Sequence, residues 1–466
     1  VNAYLAQRRG ALPVEFLLLG FEPEPFDVID VASWAKMMAW DLGDNWGDEL
    51  LRAQLVARLA PEDAGRMIAQ LWPSMDDAGT VVVPAGAAQY LQEIDTEGLL
   101  ALAGPPKPDG YGSNNWVLAG DVTATGKPIL ANDPHLGLQA PSLWYFAHLV
   151  APGLNVIGAS LPGTPAVLLG RTDHHAWGFT NNGADVQDLF LERVDPDDGG
   201  RYLTPGGSEA FAVRQETIKV KGRSDEVLVV RSTRHGPVIS DVDARSREAA
   251  AGPLGGQGTV VAFAWTALEP GDRTLEAVLG MNVATSWDEF EDALRLFVAP
   301  MQNIVYADVD GVIAYYAPAR VPVRASGIGA LPVPGWTGEG DWLGYVPFEE
   351  LPHSVQPASG RIVTANQRVV PDDYAYYLTR DWADPYRAER IDELLGAQAR
   401  ATVDASVVAQ LDQVSLMARE FAPLAQNAVP TTDGGRRLQA LLVGFDGTML
   451  AESRAPLAFA AWYKQF

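Results

Sequence analysis

The segment that begins at Ser113 constrains the fold most, because it is a dense series of short apolar stretches separated by Gly, Pro and Asn. The stretches NWVLAG, KPILAND, LWYFAHLV, LNVIGAS, AVLLG and HAWGFTN follow one another at close spacing. Short strands with turn residues between them are typical of antiparallel sheets. Further on, QNIVYADVDGVIAYYA predicts a hairpin that turns at Asp310–Gly311. The sequence therefore predicts an antiparallel sheet system downstream of Ser113.

Helical patterns flank and interrupt these strands. Residues 28–43 indicate an amphipathic helix, whose apolar stripe is Val31, Trp34, Met38 and Leu42. Another helix is expected to start at Pro61. Two helices are predicted around residues 272–281 and 286–297, and helices return after Tyr386. The pattern as a whole predicts an α+β fold.

The chain divides into three parts by composition. Residues 72–112 are rich in Ala, Gly and Pro and contain one helical island, so they are interpreted as a spacer between two structured parts. We place the boundaries at 1–77 for a helical part, 78–112 for the spacer and 113–466 for the strand-rich part. Both ends of the sequence look like cuts through folded structure, which predicts that it is a fragment of a longer precursor.

Composition excludes several classes of function. The net charge is −25, from 34 Lys and Arg against 59 Asp and Glu, which argues against nucleic acid and against anionic membrane surfaces as partners. No apolar run is long enough to cross a membrane. The chain contains no cysteine, which excludes disulfides, thiolate metal sites and a cysteine nucleophile.

Familiar catalytic motifs are absent from the sequence. It contains neither H-E-x-x-H nor G-x-S-x-G, and its six histidines form no clear pair of metal ligands. One S-x-x-K occurs at Ser33–Lys36, but no K-T-G accompanies it and it lies in an ordinary amphipathic pattern. We interpret that match as chance.

The stretch GYGSNNWVLAG combines two glycines, Gly110 and Gly112, with the polar residue Ser113 at the start of a strand. A loop that enters a strand is one explanation. The alternative is cleavage of the Gly112–Ser113 bond, which would give Ser113 a free α-amine. The usual pKa of an α-amine is about 7.7–8.0, so a neutral fraction near pH 7 can accept the hydroxyl proton. Such a serine needs neither histidine nor carboxylate, which agrees with the absence of a triad motif.

Long stretches of the sequence resemble the penicillin acylase family of N-terminal nucleophile hydrolases, which cleave amides. They are GSNNWVLAGDVTATGKPILANDPHLGLQAPSLWYFAHL, GTPAVLLGRTDHHAWGFTNNGADVQDLF, QNIVYADVDGVIAYYAPARVPVR and IVTANQRVV. Upstream, LPVEFLLLGFEPEPFDVIDVASWAKMMAWDLGDNWGDELLR resembles the end of the family's smaller chain. The resemblance implies an αββα four-layer sandwich, with two antiparallel sheets between helical layers and a helical segment from the smaller chain.

The resemblance also implies catalytic roles. Ser113 matches the nucleophile, and Gly112 precedes it at the autocleavage site. His135 matches a position, Gln or His in the family, that helps to hold the amine by hydrogen bonding. Asn303 matches the side-chain donor to the oxyanion, and the backbone N–H around Asn182 matches the second donor. An asparagine at position 182 departs from the small or apolar residue that is usual there.

Four further residues are candidates for substrate binding. By the same resemblance, Leu136 matches the wall of the acyl pocket, and Met38 and Leu42 match the contribution of the smaller chain. By spacing alone, these three are as consistent with an ordinary core. Arg324 resembles an arginine near the site that supports maturation or substrate orientation, and a surface or ion-pair role is the alternative.

A structural calcium ion is expected as cofactor, with no organic cofactor. GADVQDLF places Asp185 and Asp188 three residues apart with the Gln187 carbonyl between them. Oxygen ligands on a tight loop suit Ca²⁺. In the family, calcium joins the two chains through a carboxylate of the smaller one, for which Glu49 is the match and Asp48 the neighbouring alternative.

The sequence therefore predicts an N-terminal serine acylase that hydrolyses the side-chain amide of a penicillin-like substrate after autoproteolysis at Gly112–Ser113. The expected partners are a small N-acyl amide and, within one precursor, the two chains as a heterodimer. N-acyl-homoserine lactone or lipopeptide acylase is the alternative substrate class, and an unprocessed, non-catalytic binding protein is the alternative from another class. The resemblance implies a periplasmic or secreted protein, although no signal peptide is visible in the sequence.

Overall fold

The structure is a computed structural model that describes residues 1–8, 10–43, 45–71, 91–92, 96–103, 111–242 and 258–465. The helices of these ranges are α1 (Asn2–Gln7), α2 (Val14–Leu19), α3 (Val28–Leu42), α4 (Asn45–Arg58), α5 (Pro61–Leu71), α6 (Thr96–Ala103), α7 (Thr274–Val283), α8 (Trp287–Leu294), α9 (Tyr386–Gly396), α10 (Val403–Gln410), α11 (Leu416–Asn427), α12 (Asp433–Leu442) and α13 (Ala455–Tyr463). Within the described residues, none of the helices has the length and apolarity to cross a bilayer.

The strands form several sheets that are mostly antiparallel. In chain order, the first strands of the described residues are β1 (Gly112–Leu118), β2 (Ile129–His135), β3 (Tyr145–Ala151), β4 (Leu154–Ser160), β5 (Leu169–Arg171) and β6 (His175–Asn181). The next are β7 (Gln187–Asp195), β8 (Asp198–Thr204), β9 (Gly207–Ala210), β10 (Ala212–Ile218), β11 (Glu226–Thr233), β12 (Gly236–Pro237) and β13 (Thr259–Trp265). The last are β14 (Gln302–Asp308), β15 (Ile313–Tyr316), β16 (Pro322–Arg324), β17 (Val333–Pro334), β18 (Trp342–Tyr345), β19 (His353–Val355) and β20 (Arg361–Thr364).

Two of the sheets carry the functional region. One has the order β2-β1-β20, and the larger has the order β19-β15-β14-β6-β5-β4-β3. The others are β13-β7-β8-β9, to which β17 adds in parallel beside β7, then β10-β11-β12 and the pair β16-β18.

The small sheet lies face to face on the β6–β14 part of the large sheet. Asn115 Nδ2 of β1 donates to the carbonyl oxygen of Asn303 on β14 at 3.2 Å. The hydroxyls of Thr180 on β6 and Thr364 on β20 are 2.7 Å apart. Since successive residues of a strand point to opposite faces, Ser113, which is two residues before Asn115, also faces the large sheet.

Helices cover the outer faces of both sheets. On the small sheet, Trp116 and Leu118 of β1 share a buried cluster with Ala388 and Ile391 of α9. On the large sheet, the rings of Trp177 and Tyr306 contact Phe290 of α8, with centroids 6.2 and 4.9 Å away. The Ser113 side chain therefore lies on the face of the small sheet opposite to the one that α9 covers.

The first long helices attach to this body through buried side chains. The helix α3 begins with a capping box, in which Asp27 accepts from the N–H groups of Ile29 and Asp30 while Asp30 accepts from the N–H of Asp27. In α4, Leu50 and Val56 join the main core and are almost fully buried. Helix α4 is therefore packed against the strand-rich part.

The element pattern confirms most of the sequence predictions. The helix at residues 28–43 is α3, and Pro61 begins α5. The hairpin at Asp310–Gly311 joins β14 to β15, and Gly311 has a φ of 99°, which favours glycine. Most of the predicted spacer, residues 78–112, lies outside the described residues, so its boundaries stay a prediction.

Candidate active site

Ser113 lies near the start of β1 and is 6% exposed. Gly112 before it has a φ of 155°, and a Cβ atom at this position would lie 3.0 Å from Nη2 of Arg387 and 3.2 Å from Oδ1 of Asn366. Glycine is therefore required here for both the backbone conformation and the close approach of these side chains. The joint before Ser113 is tightly packed and is not a loose loop.

An apolar cavity of about 110 Å³ opens beside Ser113. We call it the Ser113 cavity. Three predicted substrate-binding residues, Met38, Leu42 and Leu136, line it together with Ser113. The remaining lining residues are Ala35, Pro134, Trp144, Leu161, Thr164, Leu168, Leu169, Phe179, Asn181, Thr274, Leu275, Val278, Phe297, Ala299, Pro300 and Gln302. Among the described residues its wall carries no charged side chain, and aliphatic side chains dominate it.

A second cavity, of about 210 Å³, adjoins the first. We call it the Tyr111 cavity, because Tyr111 contributes to its wall together with Asp41. Met38 and Leu136 line both cavities, so these two side chains form the partition between them. Tyr111 belongs to the segment before the Gly112–Ser113 bond.

The backbone nitrogen of Ser113 is held by a side chain that the sequence analysis did not single out. Its N–H donates to Oδ1 of Asn366 at 2.8 Å. Asn366 Nδ2 in turn donates to the carbonyl oxygen of Asn181 at 2.7 Å. Asn366 has a φ of 68°, a conformation that asparagine tolerates better than most residues. The nitrogen that cleavage would convert to an amine thus already has an oriented acceptor.

Asn303 lies fully buried in the space between the two sheets. It pairs with Thr180, whose hydroxyl contacts the small sheet, so its side chain is on the same side of the large sheet as Ser113. Its Oδ1 accepts from Tyr315 O–H and from Asn182 Nδ2, both at 2.8 Å. Two donors fix the oxygen, and Nδ2 donates to the Thr180 hydroxyl at 3.2 Å, so the orientation of the whole amide is fixed.

The surroundings of Asn182 bear on the second predicted oxyanion donor, the backbone N–H around this residue. Its backbone N–H donates to the carbonyl oxygen of Met301 at 3.0 Å, and its side chain is 2% exposed and bonded to Asn303. That N–H is therefore committed to the neighbouring segment. The preceding residue, Asn181, lines the Ser113 cavity instead.

Strand register sets the position of His135, whose predicted role is to help to hold the Ser113 amine. In the β1–β2 ladder, His135 pairs with Gly112, whereas Ser113 pairs with Pro134. Paired residues share a face, so the His135 ring and the Ser113 side chain lie on opposite faces of the small sheet. Nε2 of His135 contacts Oδ2 of Asp133 at 2.9 Å. His135 therefore belongs to the face that carries Arg387.

The predicted metal ligands are brought together by α4 and β7. Glu49 is fully buried, and its Oε2 accepts from the N–H of Leu189 at 3.2 Å. Asp185 and the carbonyl oxygen of Gln187 both accept from Nδ2 of Asn45, at 2.6 and 2.9 Å. The segment Asp185–Asp188 thus lies against the helix that carries Glu49.

Arg324 lies against these acidic residues and does not line the Ser113 cavity. Its role in maturation or substrate orientation stays a prediction. Its Nε donates to Asp188 at 2.8 Å and its Nη2 to Asp185 at 2.9 Å. Burial acts against the charge of Arg324, but the two aspartates outweigh it and raise its pKa. It is an arginine of a buried ion-pair cluster.

Burial raises the pKa of Glu49 well above its usual value, and the charges of Asp188 and Asp185 raise it further. Burial likewise raises the pKa of Asp185, although Arg324 opposes the shift. Oε1 of Glu49 is buried without a hydrogen-bond partner. Within the described ranges, no group of three or more acidic or histidine side chains is arranged to hold a metal ion.

Comparison with known proteins adds to this geometry. The family model for penicillin amidase matches residues 1–466. Penicillin acylase 2 proenzyme of Pseudomonas sp. (strain SE83) is 35% identical, over 99% of this chain and 59% of that protein. Acyl-homoserine lactone acylase QuiP of Pseudomonas aeruginosa is 30% identical, over 99% of this chain and 57% of that protein. The chain thus spans less than two thirds of the length of these relatives.

A solved structure is similar as well. Thermostable penicillin G acylase from Alcaligenes faecalis matches with a TM-score of 0.61 and 25% identity, over 72% of this chain and 59% of that one. The mixture of helices with several sheets is therefore shared with a solved acylase.

Proposed function

This chain belongs to the penicillin amidase family, and we propose that it is the part of an N-terminal serine acylase that carries the nucleophile. The observation that carries the proposal is the position of Ser113, which follows a conformationally required glycine and lines an apolar cavity. A nucleophile beside an apolar cavity suits hydrolysis of an amide whose acyl group is apolar.

In the proposed maturation, Ser113 Oγ attacks the carbonyl carbon of Gly112 and the peptide bond to the Ser113 nitrogen breaks. The resulting ester is hydrolysed by water, which leaves a carboxylate on Gly112 and a free amine on Ser113. The smaller chain, with α3 and α4, and the larger chain, which begins at Ser113, stay together as a heterodimer. Their buried contacts, such as the bond from Arg52 to the Ala330 carbonyl oxygen at 2.7 Å, support this association.

In the proposed catalytic cycle, the neutral amine of Ser113 accepts the proton of its own hydroxyl as Oγ attacks the amide carbonyl of the substrate. Asn303 Nδ2 stabilises the oxyanion of the tetrahedral intermediate. The protonated amine passes its proton to the leaving amine, and water then hydrolyses the acyl ester. The acyl group occupies the Ser113 cavity throughout.

We further propose the four-layer αββα arrangement, a periplasmic or secreted location and a structural calcium ion. The two facing sheets with helices on their outer faces support the first. The oxygen atoms present are of the type that calcium binds. Glu49 has an unpartnered buried oxygen, and Asp185, Asp188 and the Gln187 carbonyl supply further oxygens. When bound, the ion would neutralise these carboxylates and join α4 to β7, but Arg324 occupies the space between the aspartates in this structure.

One observation favours an acyl-homoserine lactone as substrate over a penicillin. Asp41 is exposed and lines the Tyr111 cavity, and neither cavity carries a Lys or Arg among the described residues. The nucleus of a penicillin bears a carboxylate, which Asp41 would repel, whereas the lactone of an acyl-homoserine lactone is neutral. The aliphatic lining of the Ser113 cavity also suits an alkyl chain.

The test of the proposal is the covalent state of the protein. Intact mass and N-terminal sequencing of the full protein should show two chains, the larger beginning SNNWVLAG, and Ser113→Ala should leave one uncut, inactive chain. Kinetics with penicillins and with N-acyl-homoserine lactones of graded acyl length should then rank the two substrate classes. An uncut wild-type protein with full amidase activity would exclude an N-terminal nucleophile.

A further inference from the structure

Arg387 of α9 is a half-buried arginine beside the proposed cleavage bond, and it is bonded to neutral groups. Its Nη1 donates to the carbonyl oxygen of Ser113 and to Oδ1 of Asn114, both at 2.8 Å. Its Nη2 donates to Oδ1 of Asn366 at 2.9 Å. Burial lowers the pKa of Arg387, and the charge of Asp133 partly offsets this effect. No carboxylate of the described residues forms an ion pair with it.

A neighbouring arginine of the same helix shows the usual arrangement. Arg390 pairs with Asp412 and with Glu393, each at 2.8 Å. Burying a guanidinium without such a partner costs free energy, because hydrogen bonds to neutral oxygens compensate only part of the lost hydration. Arg387 therefore retains a positive charge at a position where stability alone does not favour one.

We propose that Arg387 is a positioning residue for the amine of Ser113, which fixes Asn366 as the acceptor of the amine N–H and keeps the amine neutral by placing a positive charge beside it. This inference rests on the proposed function, because it requires that Ser113 becomes an N-terminal residue. The proposal gives α9 a role in orienting the Ser113 amine, which is the base, and in keeping it neutral.

The hydrogen bonds explain the positioning. Oδ1 of Asn366 accepts from both the Ser113 nitrogen and Arg387, while its Nδ2 donates to Asn181, so the amide cannot rotate without losing three bonds. An amine that donates one N–H to this fixed oxygen has a restricted orientation. A restricted orientation helps the lone pair to face the Ser113 hydroxyl, which is required of a base.

The charge explains the protonation state. A neighbouring positive charge disfavours the ammonium form and lowers the pKa of an amine. The charged groups on the elements packed around β1 include Asp133 and His135 on β2, Arg361 on β20, His175 and Asp308 on the large sheet, Asp41 on α3, Asp381 and Asp384 before α9, and Glu389, Arg390, Asp392 and Glu393 on α9 beside Arg387. Asp133 is the carboxylate whose charge acts on Arg387, and it would favour the ammonium. Removing Arg387 would leave Asp133 unopposed, so both effects raise the pKa of the amine.

The test is the pH profile of kcat/KM for Arg387→Gln in the full, matured protein, with rates normalised to titrated active sites. The acidic limb reports the pKa of the base in the free enzyme. We expect this limb to move upward by about one pH unit. Arg387→Lys keeps the charge but loses the fork of hydrogen bonds, so its limb should stay near that of the wild type while kcat falls.

Arg390→Gln is the matched control, because it removes the same charge from the same helix at an ion-paired site. The acidic limb of its pH profile should not move, although its melting temperature should fall. If Arg387→Gln is not cut, the two chains can be expressed as separate polypeptides, so that the larger one starts at Ser113 without autoproteolysis.

The outcomes separate the two proposals. An acidic limb that is unchanged in Arg387→Gln, or that moves equally in Arg387→Lys, would overturn the role of Arg387 and leave the nucleophile in place. A wild-type protein whose larger chain does not begin at Ser113 would instead refute the proposed function.

Discussion

At the scale of single residues, the site depends on side chains whose orientation is fixed before any substrate binds. Asn303 is the clearest example, because Tyr315 and Asn182 both donate to its oxygen and thereby direct its Nδ2. A donor that is already oriented costs no reorganisation when negative charge develops on the substrate.

Asn303→Ala should therefore reduce kcat by about 10²–10³ and leave KM nearly unchanged, because the donor acts on charge that is absent from the ground state. The measurement is kcat by active-site titration, beside a melting curve. Tyr315→Phe keeps Asn303 but removes one of the hydrogen bonds that orient its side chain, so a smaller loss of kcat is expected. Near-normal kcat in Asn303→Ala would remove this residue from the mechanism.

At the scale of elements, α3 supplies one wall of the Ser113 cavity. Met38 lies both on this wall and on the partition to the Tyr111 cavity, so in the proposed function its side chain would limit how far an acyl chain can extend. The helix is held at its start by the capping box of Asp27 and Asp30. The position of the wall therefore depends on a local hydrogen-bond motif as well as on packing.

Met38→Ala should shift the preference toward longer acyl chains, because it removes part of the partition and joins the Ser113 cavity to the Tyr111 cavity. We expect the ratio of kcat/KM for a dodecanoyl amide to that for a hexanoyl amide to rise about tenfold, which corresponds to one or two buried methylene groups. Ile29→Ala is the matched control, since it removes an apolar side chain from an exposed position of the same helix. An unchanged ratio would show that Met38 does not limit chain length.

The helices and strands were predictable from local sequence patterns, whereas the contacts between distant residues were not. Short apolar runs between turn residues predicted the strands around Ser113, and apolar spacing predicted α3, because both depend on local patterns. The surroundings of His135 and Asn182 could not be predicted in the same way, because they depend on ladder register and on a bond to Met301, which is distant in sequence. Asn366 lies within a stretch that signalled the family, IVTANQRVV, yet nothing local marked its contact with Ser113.

At the scale of the whole molecule, a buried acidic cluster joins the helical part to the strand-rich part. Glu49 of α4 approaches Asp185 and Asp188, and the nearby guanidinium groups are those of Arg52 and Arg324. With Asp381, four carboxylates lie near these two guanidinium groups, so the cluster has an excess of negative charge when every carboxyl is ionised. A divalent cation would offset that excess.

Glu49→Gln distinguishes the two ways of neutralising this cluster. If calcium binds there, the variant should lose bound metal, and chelator should lower the melting temperature of the wild type but not that of the variant. If the carboxyl is instead protonated, glutamine is a close neutral replacement and little should change. Elemental analysis of the purified wild type gives the direct check, and a protein free of calcium would refute the proposal.

In the proposed maturation, Gly112 affects how the mature protein forms and not how it then works. Its positive φ and its lack of a side chain beside Arg387 would matter only while it is joined to Ser113. After the proposed cut, no atom of Gly112 would remain in the chain that begins at Ser113. A substitution of Gly112 would therefore alter how quickly each molecule matures, and it would have no effect on the turnover of enzyme that had already matured.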